Sequence, residues 1–246
     1  MNDLLSRNWE YSLNIQAVGD WNGIWTRLRA NGELVERFHG VRSYLIYPER
    51  KAVVQKNHYH YEDGSSESKT FSPYQKGKLT TPFLDSAWTW GYTPQIERGQ
   101  LYLFETCLKH DRLGVSSACK YLEDGSLHHV TSIWETLDFF RGEPKETEAP
   151  SSDHWKGTTL STITPDLITA TSSACQWQPL HQLAPPNLIV CFSNGVTVSL
   201  PETAAYERES LIITDWLVNP HLLKRGIRHY NQEGQFSHFD RERLFF

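Results

Sequence analysis

Two stretches of this 246-residue chain read as copies of one another, and a repeat limits the possible folds more than any other feature. Leu101 onward reads LYLFETCLKHDRLGVSSACKYLEDGSLHHV, and Leu211 onward reads LIITDWLVNPHLLKRGIRHYNQEGQFSHF. In each copy an alternating strand meets a tight polar corner, and a second strand ends on Tyr121 or Tyr230. Three residues follow, Leu122-Glu123-Asp124 or Asn231-Gln232-Glu233, then Gly125 or Gly234 turns the chain into a third strand, in which His129 and His238 hold matching positions. The starts of the two halves also agree, with Gly19-Asp20-Trp21-Asn22-Gly23 in one and His154-Trp155-Lys156-Gly157 in the other. The reading is two tandem antiparallel units.

Between the copies, Arg141 to Asp153 (RGEPKETEAPSSD) combines charge, proline and small polar residues without apolar periodicity, as a boundary segment does. The expected division is therefore a unit over 1–140, a linker over 141–153 and a smaller unit over 154–246. Within the first unit, Asn2 to Val18 spaces its apolar residues for a short helix. GIWTRLRA then reads as a strand turning at Asn31-Gly32, the dipeptide of a two-residue type I′ hairpin. Short strands follow around 33–38, 41–61, 69–74, 78–85 and 87–92, separated by Gly and Pro, and the second half has strands near 158–164, 167–177, 188–193 and 197–200. Regular short strands with no helical run between them indicate a meander rolled into a barrel, which also removes exposed edges.

Composition excludes several classes. Hydrophobic content of 39% with 13% aromatic is ample for a core, and a formal charge of −5 without a basic cluster argues against nucleic acid as a partner. No run of 18 apolar residues is present and the N-terminus lacks an apolar signal core, so a cytoplasmic chain with no membrane span is expected. Cys107, Cys119, Cys175 and Cys191 lack CxxC spacing and read as buried thiols rather than a zinc knuckle or a disulfide framework.

Gly19-x-Trp21 after a short helix resembles the opening of lipocalin-like barrels, in which that tryptophan plugs one end. Joined to NWEYSLNIQAVGDWNGIWTRLRANGELVE, RLGVSSACKYLEDGSLHHVTSIWE and WLVNPHLLKRGIRHYNQEGQFSHFDRERLF, it resembles the cyanobacterial DUF3598 family of tandem calycin-type proteins over nearly the whole chain. The last segment is also distantly similar to phycobilin lyases of the CpcS/CpeS kind. The resemblance implies an all-β fold of two tandem antiparallel lipocalin-like (calycin) up-and-down β-barrels with a short N-terminal helix. It further implies a cyanobacterial or plastid-lineage setting and a barrel able to hold a pigment or metabolite, with nothing residue-specific about catalysis. One departure stands out: the family's opening hairpin continues into a Thr-Pro-Ser-like stretch, whereas this chain has Phe38-His39-Gly40-Val41-Arg42-Ser43. A private specificity would sit in that middle of the first unit.

Candidate ligand-binding residues follow from strand geometry. Arg228-x-Tyr230 sets a guanidinium and a phenol on one face, a pair suited to a ligand carboxylate, against the alternative that Arg228 closes a barrel end or faces solvent. Trp88, Trp90, Tyr92, Tyr102 and Phe104 form an aromatic group that could line a cavity or simply be core. Arg27 and His129 complete the set. His58 and His60 put two imidazoles on one face, but a metal needs a third ligand that the nearby sequence does not supply, so no metal is expected. No triad order, paired-carboxylate motif or glycine-rich phosphate loop is present, so no cofactor and no catalytic residue is assigned. The expected function is binding of a hydrophobic small molecule (a tetrapyrrole or bilin, another pigment, or a fatty-acid-like metabolite) in a barrel cavity. The alternatives are a cyclase, isomerase or chromophore lyase acting inside the barrel, and an assembly factor working through its surface with a protein partner.

Overall fold

A computed structural model describes residues 2–76, 81–140, 142, 155–162 and 171–246. The first half runs α1 (Asn2–Ile15), β1 (Trp21–Leu28), β2 (Leu34–Tyr47), β3 (Ala52–His60), β4 (Ser66–Thr70), β5 (Tyr74–Gln75), β6 (Phe83–Leu84), β7 (Ala87–Gly91), β8 (Tyr102–His110), β9 (Leu113–Tyr121) and β10 (Leu127–Leu137). The second runs β11 (Lys156–Ser161), β12 (Thr171–Gln176), α2 (Leu180–Leu183), β13 (Leu188–Cys191), β14 (Val196–Leu200), β15 (Ser210–Asn219), β16 (Leu222–Tyr230) and β17 (Phe236–Phe245). All pairings between these strands are antiparallel. The first sheet has the order β4-β3-β2-β1-β10-β9-β8-β7-β6 with β5 on β3, and the second the order β12-β11-β17-β16-β15-β14-β13. Each is thus an up-and-down meander in which the first strand returns to pair with the last. Among the described residues neither sheet closes by hydrogen bonds at its outer edges.

The repeat is visible in the register. Trp21-x-Gly23 and Trp155-x-Gly157 start the two sheets, with Gly23 opposite Glu135 and Gly157 opposite Leu244, matching positions in the two copies. A Cβ on Gly23 would sit 2.1 Å from the Trp134 carbonyl oxygen, and one on Gly157 would sit 1.8 Å from that of Arg243. Only glycine allows so close an approach of the two strands. Both tryptophans are buried, Trp21 beneath Lys109, whose ammonium lies 3.2 Å from the ring centroid, and Trp155 against Leu217, Leu223 and Leu244.

Some local expectations change. The Asn31-Gly32 corner is not a two-residue type I′ turn, because that turn needs positive φ at both positions and only Gly32 has it. Arg29 N–H donates to Glu33 O instead, over a bulge at Arg27/Leu28. The two strands expected across 33–47 are one, β2, which passes Gly40 beneath the Trp25 ring where a Cβ would come within 2.6 Å. The helix ends at Ile15, and the short α2 lacked an apolar period long enough to be read. The linker, apart from residue 142, lies outside the described residues, as do 77–80 and 163–170 within expected strands.

The two units pack sheet against sheet through the largest core. It joins Phe104, Leu108, Val115, Tyr121 and Trp134 of the first to Val198, Leu200, Ile212, Trp216 and Phe239 of the second. Trp134 and Trp216 meet edge to face at 5.9 Å, Ser117 bonds Thr214, and the Tyr121 hydroxyl donates to Pro201 O at 2.6 Å. Strands β7 to β10 are therefore buried on both faces, one against the second unit and the other toward the interior of the first.

Candidate functional site

Inside the first sheet lies a cavity of about 360 Å³. Its floor is built where α1 crosses the end of the meander. Asn8 fastens the helix there, its amide donating to Thr81 O at 2.9 Å and its carbonyl accepting from Phe83 N–H at 3.0 Å. Just past the end of α1, the Gln16 backbone carbonyl accepts from Trp21 Nε1 (2.9 Å). Its side chain accepts from Trp88 Nε1 (2.9 Å) and donates to the Tyr44 hydroxyl.

Below the cavity runs a row of four charges. Lys109 Nζ bonds Glu135 Oε1 at 2.5 Å, Glu135 Oε2 faces Arg42 Nε at 3.5 Å, and Arg42 Nη2 donates to Glu105 Oε1 at 2.8 Å. The row sums to zero charge. Burial alone would raise the Glu135 pKa, but the attraction of Lys109 and Arg42 holds it below the usual carboxylate range. Arg42, also fully buried, is held cationic by Glu105 and Glu135 against the desolvation that opposes its charge. The contact between Arg42 Nε and Glu135 Oε2 is an ion pair without a hydrogen bond, so one buried donor and one buried acceptor stay unspent at the floor.

One wall is a relay on β3 and β5. The Tyr74 hydroxyl donates to Gln55 (2.7 Å), Gln55 to Asn57 (2.9 Å) and Asn57 to the Tyr59 hydroxyl (2.7 Å). Burial first, then the nearby Glu105, pushes Tyr74 up to about 12, so it stays a neutral phenol. The facing wall is apolar, from Phe83, Trp88, Leu103 and Ile133, with Trp25 beside Arg42. Trp90 and Phe71, both more than a third exposed, stand at the rim with Arg27 and His129. Burial, followed by the charges of Arg27, His128 and Lys120, lowers His129 to about 4, so its imidazole is neutral near pH 7. Arg27 is paired with Glu36, yet its Nε is buried without a partner.

This architecture, an N-terminal helix under a polar-floored meander followed by a second meander, is matched by known proteins. A family model described as "Domain of unknown function (DUF3598), N-terminal" covers residues 5–140, more than half of the chain. The chain belongs to the DUF3598 family. A second model, described as the C-terminal domain of "Biogenesis factor required for ATP synthase 1", matches residues 171–240. The crystal structure of a DUF3598 family protein from Nostoc punctiforme is similar over 97% of this chain and 98% of its own, with 14% identity and a TM-score of 0.73, and supports the fold. An S-type phycobiliprotein lyase from Guillardia theta (9% identity, 98% and 91% covered) has a TM-score of only 0.20. Kievitone hydratase from Nectria haematococca (11% identity, 96% and 91% covered) reaches 0.23, and neither value is high enough to bear on fold or chemistry. No curated protein matches.

Of the residues expected from sequence, this DUF3598 chain brings Arg27, Trp88, Trp90 and His129 together around the cavity, and Phe104 borders it from β8 with its ring in the core between the units. Arg228 and Tyr230 lie elsewhere, in the seam between the units. There Arg228 Nε donates to the Tyr230 hydroxyl (2.9 Å) and Nη1 to Thr89 Oγ1 (2.5 Å), while the Tyr230 and Tyr102 hydroxyls bond at 2.6 Å. The guanidinium also lies 4.4 Å from the Phe236 ring centroid. The pair thus spends its hydrogen bonds on the protein, and Tyr102 belongs to the same seam. His58 and His60 point outward from β3, exposed, with His58 bonded to Ser68, and Tyr92 is exposed. Sequence reasoning missed Arg42, Gln55, Asn57, Tyr59, Glu105 and Glu135. Their signal was a period-two polar stripe, Gln55-x-Asn57-x-Tyr59, one residue out of step with the His58-x-His60 stripe that drew attention.

Proposed function

We propose that the first unit binds a compact, mainly apolar small molecule without net charge, whose body packs among Trp25, Trp88, Trp90 and Leu103 and whose hydrogen-bonding end reaches the floor. The observation that carries this is an apolar-walled cavity over a charge-balanced floor. Arg42 is matched by Glu105 and Glu135, and Arg27 by Glu36, so neither guanidinium is left to neutralise a carboxylate. A volume of about 360 Å³ lies near the lower end of the roughly 300–1,000 Å³ common for ligand pockets. A pigment fragment or neutral terpenoid-like metabolite suits it better than a fatty acid, and a bilin would have to project past Trp90 at the rim. Binding is favoured over isomerisation, cyclisation or chromophore attachment because the acids and bases at the wall are engaged: Glu105 with Arg42, Tyr74 with Gln55, His129 with His128.

Intrinsic tryptophan fluorescence tests the reading, since three tryptophans line the cavity. A panel of neutral terpenoids and aromatic ketones, fatty acids and bilins is titrated against the protein and against Ala118→Phe, which fills the cavity from β9. Neutral compounds should quench the wild type saturably and leave the variant unaffected. Equal quenching of both, or preference for the charged compounds, would sink the proposal. The surface-acting alternative has one observation behind it, the match of residues 171–240 to a domain named for a biogenesis factor. In that reading a protein partner docks on the second unit, and a panel with no binder at all would favour it.

A further inference from the structure

The second unit carries its own polar cluster at the place where the first has His129 and Lys120. In the aligned repeats His238 corresponds to His129, His229 to Lys120 and Asp240 to Thr131, so two changes turn a site that cannot hold a cation into a His-His-Asp set. His229 and His238 are direct cross-strand partners on β16 and β17, with rings stacked at 3.8 Å, and Asp240 follows His238 on the same face. Both Nε2 atoms turn toward the carboxylate. His229 Nε2 is 2.9 Å from Asp240 Oδ2, and His238 Nε2 is 4.0 Å from Oδ1.

We propose that His229, His238 and Asp240 form a binding site for a divalent transition metal of the zinc class, with its remaining coordination positions open to the adjoining cleft. Three further observations support it. Asp240 Oδ1 is buried and lacks any hydrogen-bond partner, an unspent acceptor aimed at the imidazoles. Ser237 Oγ lies 2.9 Å from His238 Nδ1 and fixes that ring with Nε2 facing Asp240, the outer support that ligating histidines usually have. The two imidazoles and Ser237 also border a cleft of about 720 Å³, which provides an entry path and room for water or an oxygen-bearing ligand. The donor atoms lie within 4.8 Å of one another, and metal–ligand lengths of about 2.0–2.2 Å require them to close by about 1 Å. Two imidazoles and one carboxylate suit Zn²⁺, Co²⁺ or Fe²⁺ and not Ca²⁺ or Mg²⁺, which prefer oxygen.

Co²⁺ is the probe, added to the intact chain in a Cys191→Ser background because that thiol is exposed. The expected result is a one-to-one complex with visible d–d absorption that Zn²⁺ displaces. His238→Ala and Asp240→Asn should each weaken it more than tenfold, and Ser237→Ala by about 10–100-fold. His58→Ala, in the exposed histidine group of the first unit, should change nothing. His238 is on a half-buried surface, so its variant is expected to fold and circular dichroism checks it. Lack of saturable binding, or folded His238→Ala with wild-type affinity, overturns the proposal, as does loss of binding in His58→Ala alone.

Discussion

Glu135→Gln tests the account of the cavity floor most directly. Glu135 is fully buried, and its two oxygens face Lys109 and Arg42. Removing its charge with a near-isosteric amide keeps the packing but leaves two buried cations with Glu105 as their remaining carboxylate. Breaking one side of a buried ion pair costs about 3–5 kcal/mol, because the partner's desolvation is no longer offset. For a chain of this size each kcal/mol lowers Tm by roughly 2–4 °C, so a loss of about 6–20 °C is expected by calorimetry at neutral pH. Glu105→Gln is the control. That side chain is partly exposed, is ion-paired with Arg42, and should cost less than half as much.

The same residue sets a pH signature. Because the folded-state pKa of Glu135 is lowered, its contribution is fully present above the unfolded carboxylate range and is lost as pH falls through the folded value. Wild-type stability should therefore fall on acidification in a window below the usual glutamate range, and the Gln variant should show a flatter profile there. Melting of Glu135→Gln within about 2 °C of wild type, or parallel acid profiles, would refute the floor as a charge-balanced network.

The other predictions concern the seam and the thiols. Arg228→Leu removes a guanidinium that bonds Thr89 and Tyr230, so it should lower Tm and weaken charged and neutral cavity ligands alike; a selective loss for carboxylates would restore the anion-clamp role. Gly226→Val places a side chain against Thr106, where even a Cβ would approach to 2.7 Å, and overpacking of about 1–3 kcal/mol should lower the melting of both units together in calorimetry. Burial raises Cys107 to about 11 and Cys119 well above its ordinary value, so in the folded protein an aromatic disulfide reagent should titrate Cys191 quickly and Cys175 slowly, with the other two reacting after denaturation. A fragment ending at residue 142 exposes the apolar outer face of β8 to β10 and should aggregate, as gel filtration would show, whereas a soluble monomer would prove the units independent.

Much of the fold was legible because repeats and turns are local signals. Asp124-Gly125 and Glu233-Gly234 mark equivalent corners, and the tryptophans at 21 and 155 mark equivalent starts, so the tandem antiparallel meander could be read without knowing any long-range contact. The inside of the first unit was harder. Alternation says which residues share a face, not which face is enclosed, and the usual rule that apolar faces turn inward fails for a cavity lined by Arg42, Gln55, Asn57 and Glu105. On β3 that ambiguity decided between Gln55, Asn57 and Tyr59 inside and His58 and His60 outside. Arg42 had a hint, since it falls in the Phe38 to Ser43 stretch where the chain departs from the family's pattern.

The largest gap was the seam, and its cause is physical. A strand buried on both faces loses the in-out contrast on which sequence reading depends. On β8, Tyr102, Phe104, Thr106 and Leu108 face the second unit, while Leu103, Glu105, Cys107 and Lys109 face the interior of the first, and nearly all are inaccessible. The same arrangement makes the cavity wall stiff. Trp88 and Trp90 line the cavity from β7, and Thr89 between them is tied to Arg228 of the second unit. A ligand that orders those two rings bears on a strand already fixed from behind, so less ordering entropy opposes binding than on a wall facing water. The second unit acts in this arrangement as the brace of the first unit's cavity, and loosening the seam by Gly226→Val should weaken the cavity ligand as well as the fold.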